Sequence, residues 1–203
     1  MRFLLISICL LVVSCGSYSK KQGFDPKMSS TEIIKNPYFS NTDIDYIYKA
    51  SIHVYNRDFS GLLIIKKMGE NKHRVAFTTE MGNKLFDFSF TENHFQVNFI
   101  LEELNRKMLI NVLKKDFKVL VSDNLQVINT FSEANTTIFE TSIYNKNHYY
   151  YFENKKLTQV VRTKNGKAKV QFLFSEINNH LADQIDIKHH NIKLDITLQS
   201  ITQ

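Results

Sequence analysis

The side chains able to do chemistry are scattered along this chain. Its seven histidines are His53, His73, His94, His148, His180, His189 and His190, and their spacing matches no metal-ligand pattern. His189 and His190 are neighbours, so on a strand they point to opposite faces and cannot share one metal. Asp186 and Asp195 have no spacing that would converge two carboxylates for acid–base work. The sequence has no G-x-S-x-G elbow and no H-E-x-x-H pair. With six glycines in all, it has little material for a phosphate-cradling loop. The run Tyr149-Tyr150-Tyr151-Phe152 suggests a stacking platform, but alternation lets at most two of these rings share a side. Core packing with one solvent-facing ring is the expectation there. These residues imply no enzyme, no metal and no cofactor.

The two cysteines point elsewhere. A single basic residue, Arg2, precedes an apolar run from Phe3 to Val13, too short for a permanent membrane helix and of the form of a secretory h-region. Val12-Val13-Ser14-Cys15 resembles a bacterial lipobox, in which cleavage leaves a lipidated cysteine at the new N-terminus. Cys9 would leave with the peptide, and lipidation of Cys15 would account for the one remaining thiol. The expected organisation is a signal peptide over residues 1–14, a lipidated tether over 15–42, and one domain over 43–203. The formal charge of +6 is spread along the chain, with Lys114, Lys115 and Lys118 the nearest approach to a cluster. An exported protein with this distribution is not expected to bind nucleic acid.

The elements that must position these residues are mostly strands. Short runs rich in Val, Ile, Phe and Tyr, separated by Asn, Asp, Gly and Lys, predict strands near 46–55, 59–68, 72–80, 84–91 and 94–100. Further strands are expected at 125–131, 136–144, 148–154, 157–164, 167–175 and 184–201. Phe86, Phe88 and Phe90 alternate onto one face, and Phe95, Val97 and Phe99 repeat the theme. One interruption is helical: in 101–117, Leu101, Leu104, Met108 and Val112 recur at helical spacing, flanked by Leu109 and Leu113. A helical turn is expected near Thr31–Lys35. The pattern gives a mainly β fold, an incomplete antiparallel barrel of about eleven strands with one or more helices closing its concave face. The aromatic side chains either fill that face themselves or line a space for a ligand.

One stretch is more specific. HRVAFTTEMGNKLFDFSF (His73 to Phe90) resembles the best-marked segment of the LolB/LolA-like family of outer-membrane lipoprotein receptors and carriers. The matching positions are Arg74, Thr78, Met81, Gly82, Phe86, Asp87 and Phe88. Tyr48 to Met68, with Phe59-Ser60-Gly61-Leu62, is similar to the family's first hairpin, and IDIKHHNIKLDITL to its last strand. The resemblance implies an apolar cavity lined by Arg74, Phe86, Phe88, Phe90, Phe95, Val97, Phe99, Leu104 and Met108. It also implies a turn, Met81-Gly82, whose exposed apolar residue delivers cargo to the membrane. The partners it implies are lipoprotein acyl chains or other lipid and a LolA-like periplasmic carrier. The place it implies is the outer membrane, facing the periplasm, held by the lipid on Cys15. The chain departs from the pattern in having Glu80 where the family has proline, and a lid of one helix. The alternatives are an accessory lipoprotein gripping a protein partner, its concave face plugged by phenylalanines, and a carrier of another apolar ligand.

Overall fold

Strand follows strand through short turns for most of the chain, and the turns explain the topology. The computed structural model describes residues 16–28, 30–92, 94–178 and 181–201. The expected signal peptide and Cys15 lie outside the described residues, as does His180. A short helix α1 (Tyr18–Gln22) and two brief strands, β1 (Asp25–Pro26) and β2 (Ile33–Lys35), come first. A meander follows: β3 (Asp45–Val54), β4 (Arg57–Gly69), β5 (Lys72–Thr78), β6 (Lys84–Phe90) and β7 (Phe95–Ile100). A 3-10 turn (Glu102–Leu104) leads into helix α2 (Lys107–Val121). A second meander runs β8 (Asn124–Glu133), β9 (Thr136–Ile143), β10 (Lys146–Glu153), β11 (Lys156–Lys164), β12 (Lys167–Asn178), β13 (Leu181–His189) and β14 (Leu194–Ser200).

The described strands form one antiparallel, unclosed sheet of fourteen, in the order β1-β8-β9-β10-β11-β12-β13-β14-β3-β4-β5-β6-β7, with β2 also on β8. This is the expected half-barrel, with three strands more than the sequence pattern counts. One comes from the last run, expected as a single strand over 184–201. Its residues His190–Lys193 turn, so that β14 folds back on β13 with Ile196 opposite Ile187. The turn resets the alternation, and Ile185, Ile187, Leu194, Ile196 and Leu198 all face inward. The other two are β1 and β2. Ile33–Lys35, expected as a helical turn, is a strand because it pairs with β8, Ile34 opposite Leu125.

Residues 16–42, expected to act as a tether, pack against the sheet over much of their length. Ser17 caps α1 by accepting from the Lys20 amide at 3.4 Å. Tyr18 and Phe24 then cover Tyr149, Tyr151 and Phe131 on the convex face. This corrects the expectation of a solvent-facing ring, since Tyr149, Tyr150 and Tyr151 are all buried. Further on, Tyr38 donates to the Leu157 carbonyl at 2.6 Å, and Phe39 packs on Tyr46 and Tyr48.

Helix α2 lies in the concave face. Its apolar stripe is Leu109, Leu113, Phe117 and Leu120, all buried. The expected stripe ran through Leu101, Leu104 and Met108, but extended Arg106 breaks the helix from the 3-10 turn and resets its phase. Met108 is left half-exposed. Burying four such side chains contributes on the order of 6–12 kcal/mol before the entropy of ordering the helix is set against it.

Candidate functional site

The site begins at the β5–β6 hairpin. Thr79 and Asn83 close its turn: the Thr79 amide donates to the Asn83 carbonyl at 2.8 Å, and the Asn83 amide to the Thr79 hydroxyl at 3.1 Å. Gly82 takes φ +84°, the left-handed conformation in which a side chain would be strained. Met81, one residue before it, is 93% exposed. It stands off the hairpin and does not fold back over it. Gly61 of β4 lies beneath the base of this turn, where a Cβ would overlap the Thr78 carbonyl oxygen.

The hairpin is braced on its convex face. Arg74 grips Asp87 with both arms of its guanidinium, Nε to Oδ1 at 2.9 Å and Nη2 to Oδ2 at 2.6 Å. Lys84 donates to the same carboxylate at 3.2 Å and Asn98 at 3.1 Å. Asp87 is almost fully buried, and the Arg74 hydrogen bonds hold its carboxyl well below the usual carboxylate range against the cost of desolvation. A rigid hairpin with an apolar tip is the result.

The residues expected to line a cavity are only partly brought together. Phe86, Phe88 and Phe90 face the concave side and are closed off by neighbouring rings. Phe86 stacks on Phe88 at 4.5 Å and meets Phe117 of α2 at 5.6 Å. Leu104 is buried, and Phe95 and Val97 are half-buried against the same cluster. Arg74 is on the opposite, convex face with Asp87, because strand alternation separates it from Val75 and Phe77. Phe99 also faces outward, half-exposed. A bulge between its register with Asp87 and that of Val97 with Phe88 breaks the alternation that pointed it inward. Met108 sits at the rim, with the Tyr55 hydroxyl 3.9 Å from its sulfur.

A second constellation, absent from the sequence reading, lies beneath α2. Asp116, fully buried on the helix, accepts from Arg162 Nη1 at 3.0 Å. His189 Nε2 stands 3.0 Å from its other oxygen but is too poorly aligned for a good hydrogen bond. The His189 Nδ1–H donates to the Leu194 carbonyl at 2.9 Å, which holds the ring with Nε2 toward Asp116. His148, opposite Arg162 on β10, is also buried. Burial, aided by the Arg162 charge, pushes its pKa down to about 4, and its Nε2 has no partner among the described residues. Alternation alone could have put His148 and Arg162 on one face. Asp116 could be placed over them only by the packing of α2. Among the described residues no group of His, Cys, Asp and Glu could hold a metal ion, and no helix is long and apolar enough to cross a membrane.

No family model matches the sequence. Among solved structures, a LolA superfamily protein from Nitrosomonas europaea aligns over 81% of this chain and 87% of its own, with TM-score 0.49 and 8% identity. A putative outer membrane lipoprotein-sorting protein domain from Vibrio parahaemolyticus aligns over 78% and 85%, with TM-score 0.39 and 9% identity. No residue role passes from either at such identities. A curated relative, the DNA-directed RNA polymerase subunit beta'' of Marchantia polymorpha, is 26% identical over 163 residues. That match covers 76% of this chain, which spans only 11% of the relative's length.

Proposed function

We propose that this protein is a LolB-like receptor of the cell envelope, lipid-anchored through Cys15 at the outer membrane, that takes up acyl chains of lipoproteins and passes them to the bilayer. The observation that carries the reading is Met81, 93% exposed at the tip of a braced hairpin. Moving one such side chain from water into lipid contributes about 1.5–3 kcal/mol, enough to bias contact and too little to hold the protein there. Holding is the task of the acyl chains on Cys15, at about 0.8 kcal/mol per methylene. An unbranched, polarisable thioether suits insertion among disordered lipid tails. Cargo would lie along the concave aromatic face after α2 lifts from it, received from a LolA-like carrier down a gradient of affinity.

Met81 touches nothing that the fold needs, so Met81→Asp is expected to leave the thermal midpoint unchanged. The same variant should slow transfer of a lipoprotein from the purified receptor into liposomes about tenfold or more. Transfer at the wild-type rate would remove the hook. The packing of Phe86, Phe88 and Phe117 favours a second reading, an accessory lipoprotein that grips a protein partner. Mass spectrometry of protein released gently from membranes separates the two: co-purifying lipid or lipoprotein favours the receptor, an empty protein with one stable partner the accessory role.

A further inference from the structure

One end of the half-barrel gathers features that the acyl-chain reading does not use. Leu194 pairs with Val54, Val170 with His189, and His148 with Arg162. That register sets the turns after β3, β9, β11 and β13 side by side at one end, where the Tyr55 amide donates to the Lys193 carbonyl at 2.8 Å. The Met81 turn projects from the same end, since Thr78 pairs with Leu62 near the start of β4. Gly16 reaches it too, its carbonyl packed so close to Gly166 in the turn after β11 that a Cβ there would overlap it.

Between these turns and the start of α2 lies a pocket of about 450 Å³. Lys115, Lys146, Arg162, Lys164 and Lys169 line it, and among the described residues no carboxylate does. Arg162 is already engaged by the buried Asp116, whereas none of the four lysines belongs to an ion pair among the described residues. His189 also lines the pocket, its side chain 1% exposed and its Nε2 without a well-directed hydrogen bond. Four unneutralised cations around one concavity repel one another and focus a positive potential into it. A bound anion relieves that repulsion, and one with several oxygens supplies acceptors to lysines approaching from different turns.

We infer that this pocket is a binding site for a phosphate group, that of an anionic lipid headgroup at the bilayer. The phosphate chemistry stands on the pocket alone; assigning it to a lipid rests on reading the Met81 end as the end that faces the membrane. The headgroup would dock beside the tip while Met81 enters the tails, and lysine charge would orient the receptor before any apolar contact forms.

The test is calorimetric titration of the exported protein, purified in a neutral detergent, with dihexanoyl phosphatidylglycerol and with dihexanoylglycerol, which lacks the phosphate. Binding is expected for the first only. The paired substitution Lys146→Gln, Lys164→Gln changes exposed side chains and should leave the thermal midpoint in place while raising Kd about 25-fold, roughly fivefold per lysine. Inorganic phosphate, titrated alone, separates the sources: millimolar binding assigns the site to lipid headgroups, and binding tighter than the lipid's assigns it to a soluble phosphate ester. Unaltered lipid binding in the paired variant, or equal binding of the two lipids, would overturn the site. The pocket is read by these titrations and the hook by transfer into liposomes, so failure of the pocket and failure of the hook read out separately.

Discussion

Asp87 and Asp116 are buried carboxylates on opposite faces of the sheet, and their surroundings set them apart. Asp87 is satisfied by Arg74, Lys84 and Asn98 at a half-exposed rim, and braces a hairpin. Among the described residues Asp116 has one well-directed donor, Arg162, and His189 and the unpartnered His148 Nε2 lie on the sheet below. Such a group is expensive to bury and ties α2 to one position on the sheet. The neighbouring histidine makes a pH prediction. Burial lowers the pKa of His148 to about 4 from an ordinary value of 6.5. The folded state therefore keeps it neutral in a range where the unfolded chain binds a proton. Stability from this group is complete above about pH 6.5 and is lost as pH falls toward 4, about 3 kcal/mol in all. His73, also lowered by burial, adds a loss of the same sign. The depressed Asp87 is lost only below the ordinary carboxylate range, so the window from pH 6.5 to 4.5 isolates the histidines. Urea unfolding at pH 7 and pH 4.5 should show His148→Leu flattening that decline, at little cost at pH 7 because the orphaned nitrogen goes with it. An unchanged slope would move the effect to other groups.

At the scale of elements, the exposed tip depends on a close approach between two backbones. Gly61 on β4 lets the Thr78 carbonyl sit where any Cβ would collide with it, and Thr78 is the last residue before the Met81 turn. Gly61→Ala is expected to cost about 1–3 kcal/mol, as overpacking does, while exposed Ser60→Ala beside it stays within about 0.5 kcal/mol. Thermal melts measure both, and amide shifts at residues 78–84 should move in the first variant alone. The alternation of Phe86, Phe88 and Phe90 and the polar punctuation between runs were enough to read a curled antiparallel sheet from the sequence. What they could not reveal shares one cause, a contact with a distant segment. Ile33–Lys35 is a strand only because β8 offers an edge, and the bulge near Asn98 exists where that side chain reaches Asp87 and Ser89. The turn at His190–Lys193 lies where the apolar alternation changes phase, from Ile185 and Ile187 to Ile192, Leu194 and Ile196, a change that a single strand with two apolar faces would also produce. The exposure of Met81 was legible because an apolar residue before glycine in a turn is conspicuous. The polar group under α2 was not, because Asp116, Arg162 and His189 come from three elements with no local signature.

For the whole molecule, the open question is what moves. The sheet leaves a gap between β7 and β8–β9, and α2 spans its concave side, with Lys114 reaching over Phe95 at 5.2 Å and Tyr144 at 5.0 Å. Each inner strand is hydrogen-bonded to neighbours on both sides, so displacing one breaks two ladders. Helix α2 keeps its own hydrogen bonds when displaced and gives up only its apolar stripe, the Asp116 contacts and the Lys114 bridge. It is therefore the element with the lower opening free energy. Native-state hydrogen exchange is expected to show amides of 107–121 exchanging through a sub-global opening, while β12 and β13 exchange only on global unfolding. Adding a lysolipid should speed exchange in α2 selectively, because a chain occupying the aromatic face replaces the contacts of Leu113 and Phe117. If the phenylalanine interior is instead a permanent core, α2 and the strands will open at one common free energy that lipid does not alter, and the acyl-chain reading gives way to the protein-partner one.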